Sequence, residues 1–164
     1  MSYSRSIVRL FPLPNVVLFP QAILPLHIFE ERYKEMVSEA LSDDGQIATA
    51  LLKRGWVHEY YGKPAIESVV CVGQVVNYER LPGGQFNLLL QGSYRGIIES
   101  EISGKRYRRA HIRRLSETKV AEIDLSSERW RLQELFLQAE LGPIGKHYSD
   151  LVASELKTAD VADL

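Results

Sequence analysis

Four prolines, Pro12, Pro14, Pro20 and Pro25, break up the longest stretch of the chain that carries neither charge nor histidine, Leu10–Leu26. Without them this stretch would read as a membrane span or a buried central strand. Proline gives no N–H to a strand ladder and interrupts a helix. The stretch is therefore no transmembrane helix. It predicts short, edge-like strands and turns around Val16–Phe19 and Ala22–Leu24. Before it, Ile7–Leu13 alternates roughly between apolar and polar and reads as a strand. The N-terminus shows no basic segment followed by an apolar run, so no secretory signal is expected and the cytoplasm is the default compartment.

Within the first 116 residues only one segment has a helical period. Phe29, Tyr33, Met36, Val37, Ala40 and Leu41 fall at i, i+4, i+7, i+8, i+11 and i+12, which predicts a helix over about 30–42. Asp43-Asp44-Gly45 stops it, with Gly45 suited to a left-handed cap. Glu35 lies on the far side from that stripe. The other signals are those of strands: Ile47–Lys53, Val69–Glu79, Phe86–Gln91, Tyr94–Ile102 and Arg106–Leu115. Pro82-Gly83-Gly84 marks a turn, and Trp56–Glu67 has no period and reads as a loop. The spacing predicts an antiparallel meander.

After Leu115 the pattern turns helical. Asp124, Ser126 and Ser127 are good N-caps, Leu132, Leu135, Phe136 and Ala139 share a face, and Gly142-Pro143 ends the helix. A further helical pattern starts at Tyr148 and meets no stop signal, which leaves open whether the native chain continues beyond Leu164. The expected organisation is a β-rich domain over 1–116 and a helical C-terminal subdomain over 117–164.

Charge separates the segments too. Residues 1–104 hold 9 Lys+Arg against 11 Asp+Glu, residues 105–116 hold 6 against 0, and residues 117–164 hold 5 against 10. The net charge of −1 gives no reason to expect a nucleic-acid binder. Only the basic band does, through Arg106, Arg108, Arg109, Arg113 and Arg114. On a strand, Ala110 and Ile112 face one way while Arg109, His111 and Arg113 face the other, where they could track phosphates. The simpler reading is a solvated face paired with the acidic C-terminal segment.

Catalytic chemistry has little support. The chain contains no G-x-x-x-x-G-K-[ST], G-x-G-x-x-G, H-E-x-x-H or G-x-S-x-G pattern. Its one cysteine, Cys71, excludes an intrachain disulfide and a Cys-based zinc site. Apolar neighbours on both sides make Cys71 a buried, inert thiol. His27 with Glu30 or Glu31 spans a helical turn, but a metal needs three or four converging ligands. A histidine that anchors the start of the helix by a hydrogen bond explains it better. No metal and no cofactor is expected.

The segment Phe11–Pro20, FPLPNVVLFP, followed by Leu24–Tyr33, LPLHIFEERY, resembles the N-terminal (LON) domain of the ATP-dependent Lon proteases. Val72–Val75 (VGQV), Leu88–Arg95 (LLLQGSYR) and Tyr107–Ile112 (YRRAHI) are similar to later strands of that domain. The resemblance covers about residues 7–116. It implies a mainly β fold (α+β overall), a PUA-like pseudo-barrel of antiparallel strands with one helix near the start, followed by a helical subdomain. It also implies a role in binding substrate proteins and in assembly, so a homo-oligomer stays open. The chain carries neither the ATPase module nor the Ser–Lys peptidase of those proteases. It looks like the stand-alone, bacterial-type LON-domain proteins, and no enzymatic activity is expected.

Two binding roles follow, neither at a membrane. The first is capture of unfolded or partner protein segments, with Phe19, Trp56, Tyr60 and Tyr61 as candidate contacts, because exposed aromatics on a loop make good anchors. The competing reading is that these aromatics close one end of the barrel core. The second is RNA binding through the basic band, since PUA-like folds elsewhere bind RNA. Tyr94 and Tyr107 would be its stacking aromatics.

Overall fold

The computed structural model describes residues 5–116 and 125–138. The chain separates into two compact units, Met1–Ser116 and Glu117–Leu164. In the first, the order is β1 (Arg5–Leu13), β2 (Ile23–Ile28), α1 (Glu31–Ser42), β3 (Gln46–Leu52), β4 (Ile66–Arg80), β5 (Phe86–Ile102) and β6 (Arg108–Arg114). The sheet runs β2-β5-β4-β3-β1-β6, and β6 pairs again with β5. That second pairing closes β5, β4, β3, β1 and β6 into a barrel. The fold is mainly β with one helix near its start, as the sequence implies.

Three details depart from the expected meander. β1 and β3 are parallel, with Leu10 opposite Ala48 and Leu13 opposite Leu51. Parallel neighbours need a crossover instead of a tight turn, and the chain between them, with β2 and α1, supplies it. Phe86–Gln91 and Tyr94–Ile102 are one strand of 17 residues, β5. Val72 pairs with Tyr94 but Gly73 pairs with Gly92, so Ser93 is an extra residue. A bulge of this kind bends a strand without ending it. Its first half pairs with β2 and its second half with β6. Finally, Val16–Phe19 is not a strand. Pro25 does lie in a strand, β2, which among the described residues pairs only with β5 and is therefore an edge strand, where proline is tolerated.

Two apolar cores follow from the period-2 alternation. Val8, Leu10, Ala48, Ala50, Val70, Val72, Ala110 and Ile112 fill the barrel. The opposite sheet face packs Phe11, Ile47 and Cys71 together with Tyr33, Met36, Val37 and Ala40 of α1. The predicted helical stripe holds except at its ends. Leu41 is partly buried, and Phe29 precedes the helix, is 58% exposed and stacks on His27 at 5.9 Å. Gly45 caps α1 at φ 70°, donating its N–H to the Ala40 carbonyl at 2.8 Å. Asp43 and Asp44, just past the helix, accept hydrogen bonds from Arg9 of β1 at 2.6 and 2.9 Å. In the second unit, α2 spans Ser126–Gln138, inside the predicted helix. The pattern from Tyr148 onward lies outside the described residues. Among the described residues no helix is long and apolar enough to cross a membrane.

Cys71 is 5% exposed, which bears on its reactivity. A thiol reagent must reach the sulfur, so native labelling is expected to be slow and labelling in denaturant fast. Stoichiometric modification of the native protein within minutes would contradict this packing.

Candidate functional site

The chain leaves β3 through Gly55, whose φ of 88° suits glycine. It then makes one 3-10 turn, Trp56–Glu59, in which no residue is buried. Three aromatics follow one another in space. The rings of Trp56 and Tyr60 are 5.6 Å apart, and Tyr61 meets Tyr60 edge-on at 5.2 Å. Tyr61 is 92% exposed. None of the three joins the buried cores, so they do not plug the barrel.

The predicted loop is fastened down. Tyr60 donates its hydroxyl to Glu30 at 2.6 Å. That bond, helped by burial, pushes the phenol up to about 12. Glu30 also accepts from Arg32 Nε at 3.0 Å, and Arg32 Nη2 reaches the Tyr60 carbonyl at 3.4 Å. The Arg32 guanidinium lies over the rings of Tyr33, at 4.6 Å, and Tyr60, at 5.9 Å. Glu30, Arg32 and Tyr33 all come from the LPLHIFEERY block, so that block positions the aromatic loop.

Between this loop and the start of β6 lies a cavity of about 250 Å³. Pro12, Tyr33, Leu52, Tyr60, Pro64 and Ile102 give it apolar walls, and Arg32, Lys63, Glu101, Lys105, Arg106 and Arg108 give it charge. Glu101 accepts two hydrogen bonds from Arg108, at 2.5 and 3.1 Å, and pairs with Lys63 at 2.9 Å. Burial alone would raise the Glu101 carboxyl, but the bonds from Arg108 and Lys63 outweigh it and hold the carboxyl below its ordinary value. Arg108 also donates to the Pro64 carbonyl at 2.6 Å. Tyr33 is 8% exposed, and burial pushes its phenol up. Its hydroxyl has no hydrogen-bond partner among the described residues.

The basic band divides. Arg106 and Arg108 line the cavity. Arg109, Arg113 and Arg114 do not, although the alternation that buries Ala110 and Ile112 is as predicted. Arg113 pairs with Glu99 at 3.3 Å, and Arg106 with Glu35 at 3.4 Å. Lys105 and Tyr107 share Glu39, at 2.6 and 2.5 Å. Arg114 lies over the Tyr94 ring at 4.5 Å. Arg109 donates to the Ser103 carbonyl at 3.2 Å, and its Nε is buried without a partner. Among the described residues, the carboxylates that meet this band belong to α1 and β5; most of the acidic C-terminal segment lies outside the described residues.

Phe19 is placed apart from the aromatic trio. It is 39% exposed under the Arg95 guanidinium at 5.7 Å. Arg95 also lines an apolar groove of about 310 Å³ formed by Val16, Val17, Leu51, Val69 and neighbouring residues. His27 does not meet Glu30 or Glu31 as a ligand pair. Its Nδ1 lies 2.8 Å from Asn87 Oδ1 on β5. Among the described residues no three His, Cys, Asp or Glu side chains converge as metal ligands.

Residues 7–157 match the family described as the ATP-dependent protease La (LON) substrate-binding domain. The chain is 33% identical over 125 residues to the Lon protease of Geobacter metallireducens, covering 74% of this chain and 15% of that protein. It is 28% identical over 120 residues to Lon protease 2 of Sorangium cellulosum, covering 73% and 15%. The chain thus spans about 15% of the length of these relatives. In structure it is similar to the N-terminal domain of Mycobacterium avium complex Lon protease, with a TM-score of 0.74 at 15% identity, covering 96% of this chain and 80% of that one. It also matches a Lon N-terminal domain protein from Xanthomonas campestris, with a TM-score of 0.62 at 19% identity, covering 91% and 90%.

Proposed function

Because the chain belongs to the ATP-dependent protease La (LON) substrate-binding domain family, we propose that it is a non-catalytic module that captures exposed apolar segments of other proteins in the cytoplasm. Residues 1–116 would do the binding, with 117–164 a separate helical subdomain. The observation that carries this reading is the aromatic trio, whose middle member Tyr60 forms part of the cavity wall. Tyr61 is almost wholly exposed, yet the loop behind it is tied to Glu30 and Arg32. Pre-positioned aromatics offer contact area without the ordering cost that a mobile loop would incur. The cavity is large enough for one apolar side chain of a segment lying across Trp56, Tyr60 and Tyr61. Phe19, beside the second groove, is a further contact on the same barrel.

The RNA reading is the weaker one. Arg106, Arg108 and Arg113 face carboxylates at 3.4 Å or less. A phosphate would have to displace those partners.

The test is the affinity of a fluorescent, extended apolar peptide. A desolvated aromatic anchor is worth about 2 kcal/mol or more, whereas a rim charge is worth about 0–1. Trp56→Ala or Tyr60→Ala is therefore expected to weaken binding by roughly tenfold or more, with little salt dependence. Arg109→Ala combined with Arg113→Ala should leave it nearly unchanged. Loss of binding in the arginine pair, with affinity falling steeply as salt rises, would instead favour the nucleic-acid reading.

A further inference from the structure

We propose that the cavity under Tyr60 selects segments in which an acidic side chain, Asp or Glu, sits among apolar residues. This rests on the segment-capture reading and adds what the segment must carry. Among the described residues five cations line the cavity, Arg32, Lys63, Lys105, Arg106 and Arg108, against a single carboxylate, Glu101. Three carboxylates outside the lining serve three of those cations: Glu30 pairs with Arg32, Glu39 with Lys105 and Glu35 with Arg106. Glu101 is left to serve both Arg108 and Lys63. One positive charge is therefore in excess, and an incoming carboxylate is the partner that would balance it.

The hydrogen-bond donors tell the same story. Tyr33 lines the cavity, is more than nine-tenths buried, and its hydroxyl has no hydrogen-bond partner among the described residues. Among the described residues Arg106 meets a carboxylate only through Nε, at 3.4 Å, and its side chain is 74% exposed. Lys63 is 64% exposed. These groups can donate and none of them, while protonated, calls for a cation. A carboxylate accepts from a phenol and from a guanidinium or ammonium at once, and such charge-assisted bonds are stronger than neutral ones. The apolar walls meanwhile accommodate the methylenes that carry it. A lysine in the same place would meet the excess charge and be rejected.

The experiment compares three N-acetylated, C-amidated apolar peptides that differ at one central residue, Glu, Gln or Lys. The expected order of affinity is Glu, then Gln, then Lys. Glu should lead Gln by about tenfold at low salt, the effect of one hydrogen bond to a charged group. Tyr33→Phe and Arg106→Gln should each shrink the Glu-over-Gln affinity ratio towards one. Tyr33→Phe keeps the ring that packs edge-on against Phe11 at 4.6 Å, and a melting curve confirms that it folds. Equal binding of the Glu and Gln peptides overturns the acidic preference and leaves segment capture standing. Failure of all three peptides to bind overturns both. A fourth peptide with central Gln and a free C-terminal carboxylate separates the sources: if it alone binds better, the cavity reads chain ends and the side-chain proposal is wrong.

Discussion

Met36→Ala is expected to destabilise the barrel unit by about 2–5 kcal/mol, the range for deleting a fully buried large aliphatic side chain. Met36 is 0% exposed and belongs to the core that joins α1 to the outer sheet face, with Phe11, Ile47 and Phe86. The small Ala40 one turn on cannot refill the space. Glu35→Ala, one residue away, removes only an exposed-edge pair with Arg106 at 3.4 Å. It should cost no more than about 0.5–1 kcal/mol. Urea unfolding followed by circular dichroism measures both. Equal losses would mean that α1 does not present the Met36 face to the sheet.

Gly92→Ala is expected to be as damaging, by a different route. A Cβ at Gly92 would lie 2.0 Å from the Phe19 carbonyl oxygen and 2.8 Å from its carbon. Those are backbone atoms, so no side chain can rotate away. The Phe19–Ala22 turn and β5 are hydrogen-bonded there as well. Gly92 donates its N–H to the Ala22 carbonyl at 2.9 Å, and the Gly92 carbonyl accepts from Gln21 at 2.8 Å. Overpacking usually costs about 1–3 kcal/mol, and this contact belongs at or above the top of that range. Gly83→Ala is the control. Gly83 has φ 74° but open space around it, so only the conformational cost of about 1–2 kcal/mol applies. A Gly92→Ala protein as stable as Gly83→Ala would show that the Phe19–Pro20 turn is not seated on β5.

Where local chemistry decides, the sequence was easy to read. The spacing of Tyr33, Met36, Val37 and Ala40 placed α1, and Gly45 placed its end. The alternation around Ala110 and Ile112 placed the inward face of β6. The misreadings occur where distant residues decide. The sequence reading ends one strand at Gln91 and starts the next at Tyr94, yet Gly92 between them allows Phe19–Pro20 to approach a continuous β5. The parallel β1–β3 pair could not be seen in turn spacing, because the crossover that creates it is 32 residues long.

The candidate site was legible only in halves. Tyr60 and Arg106–Arg108 were each singled out, under rival functions, and the fold sets them around one cavity. Arg32, Tyr33, Lys63 and Glu101 were missed, since a wall gathered from positions 12 to 108 has no local pattern. The LPLHIFEERY block was the signal that could have found two of them. In that block the sequence offers Glu30 only as half of a metal pair with His27. Its actual partners, Tyr60 and Arg32, depend on where the loop after β3 returns.

The central claim is that a protein segment docks on the aromatic trio and its cavity. Amide chemical-shift mapping of the 15N-labelled full chain, titrated with an apolar peptide carrying one central glutamate, tests it most directly. The account predicts shifts clustered at Trp56–Gly62, Arg32–Tyr33 and Glu101–Arg108. Shifts confined to the groove of Val16–Leu18 and Val69, or spread along Arg109–Arg114 alone, would contradict it.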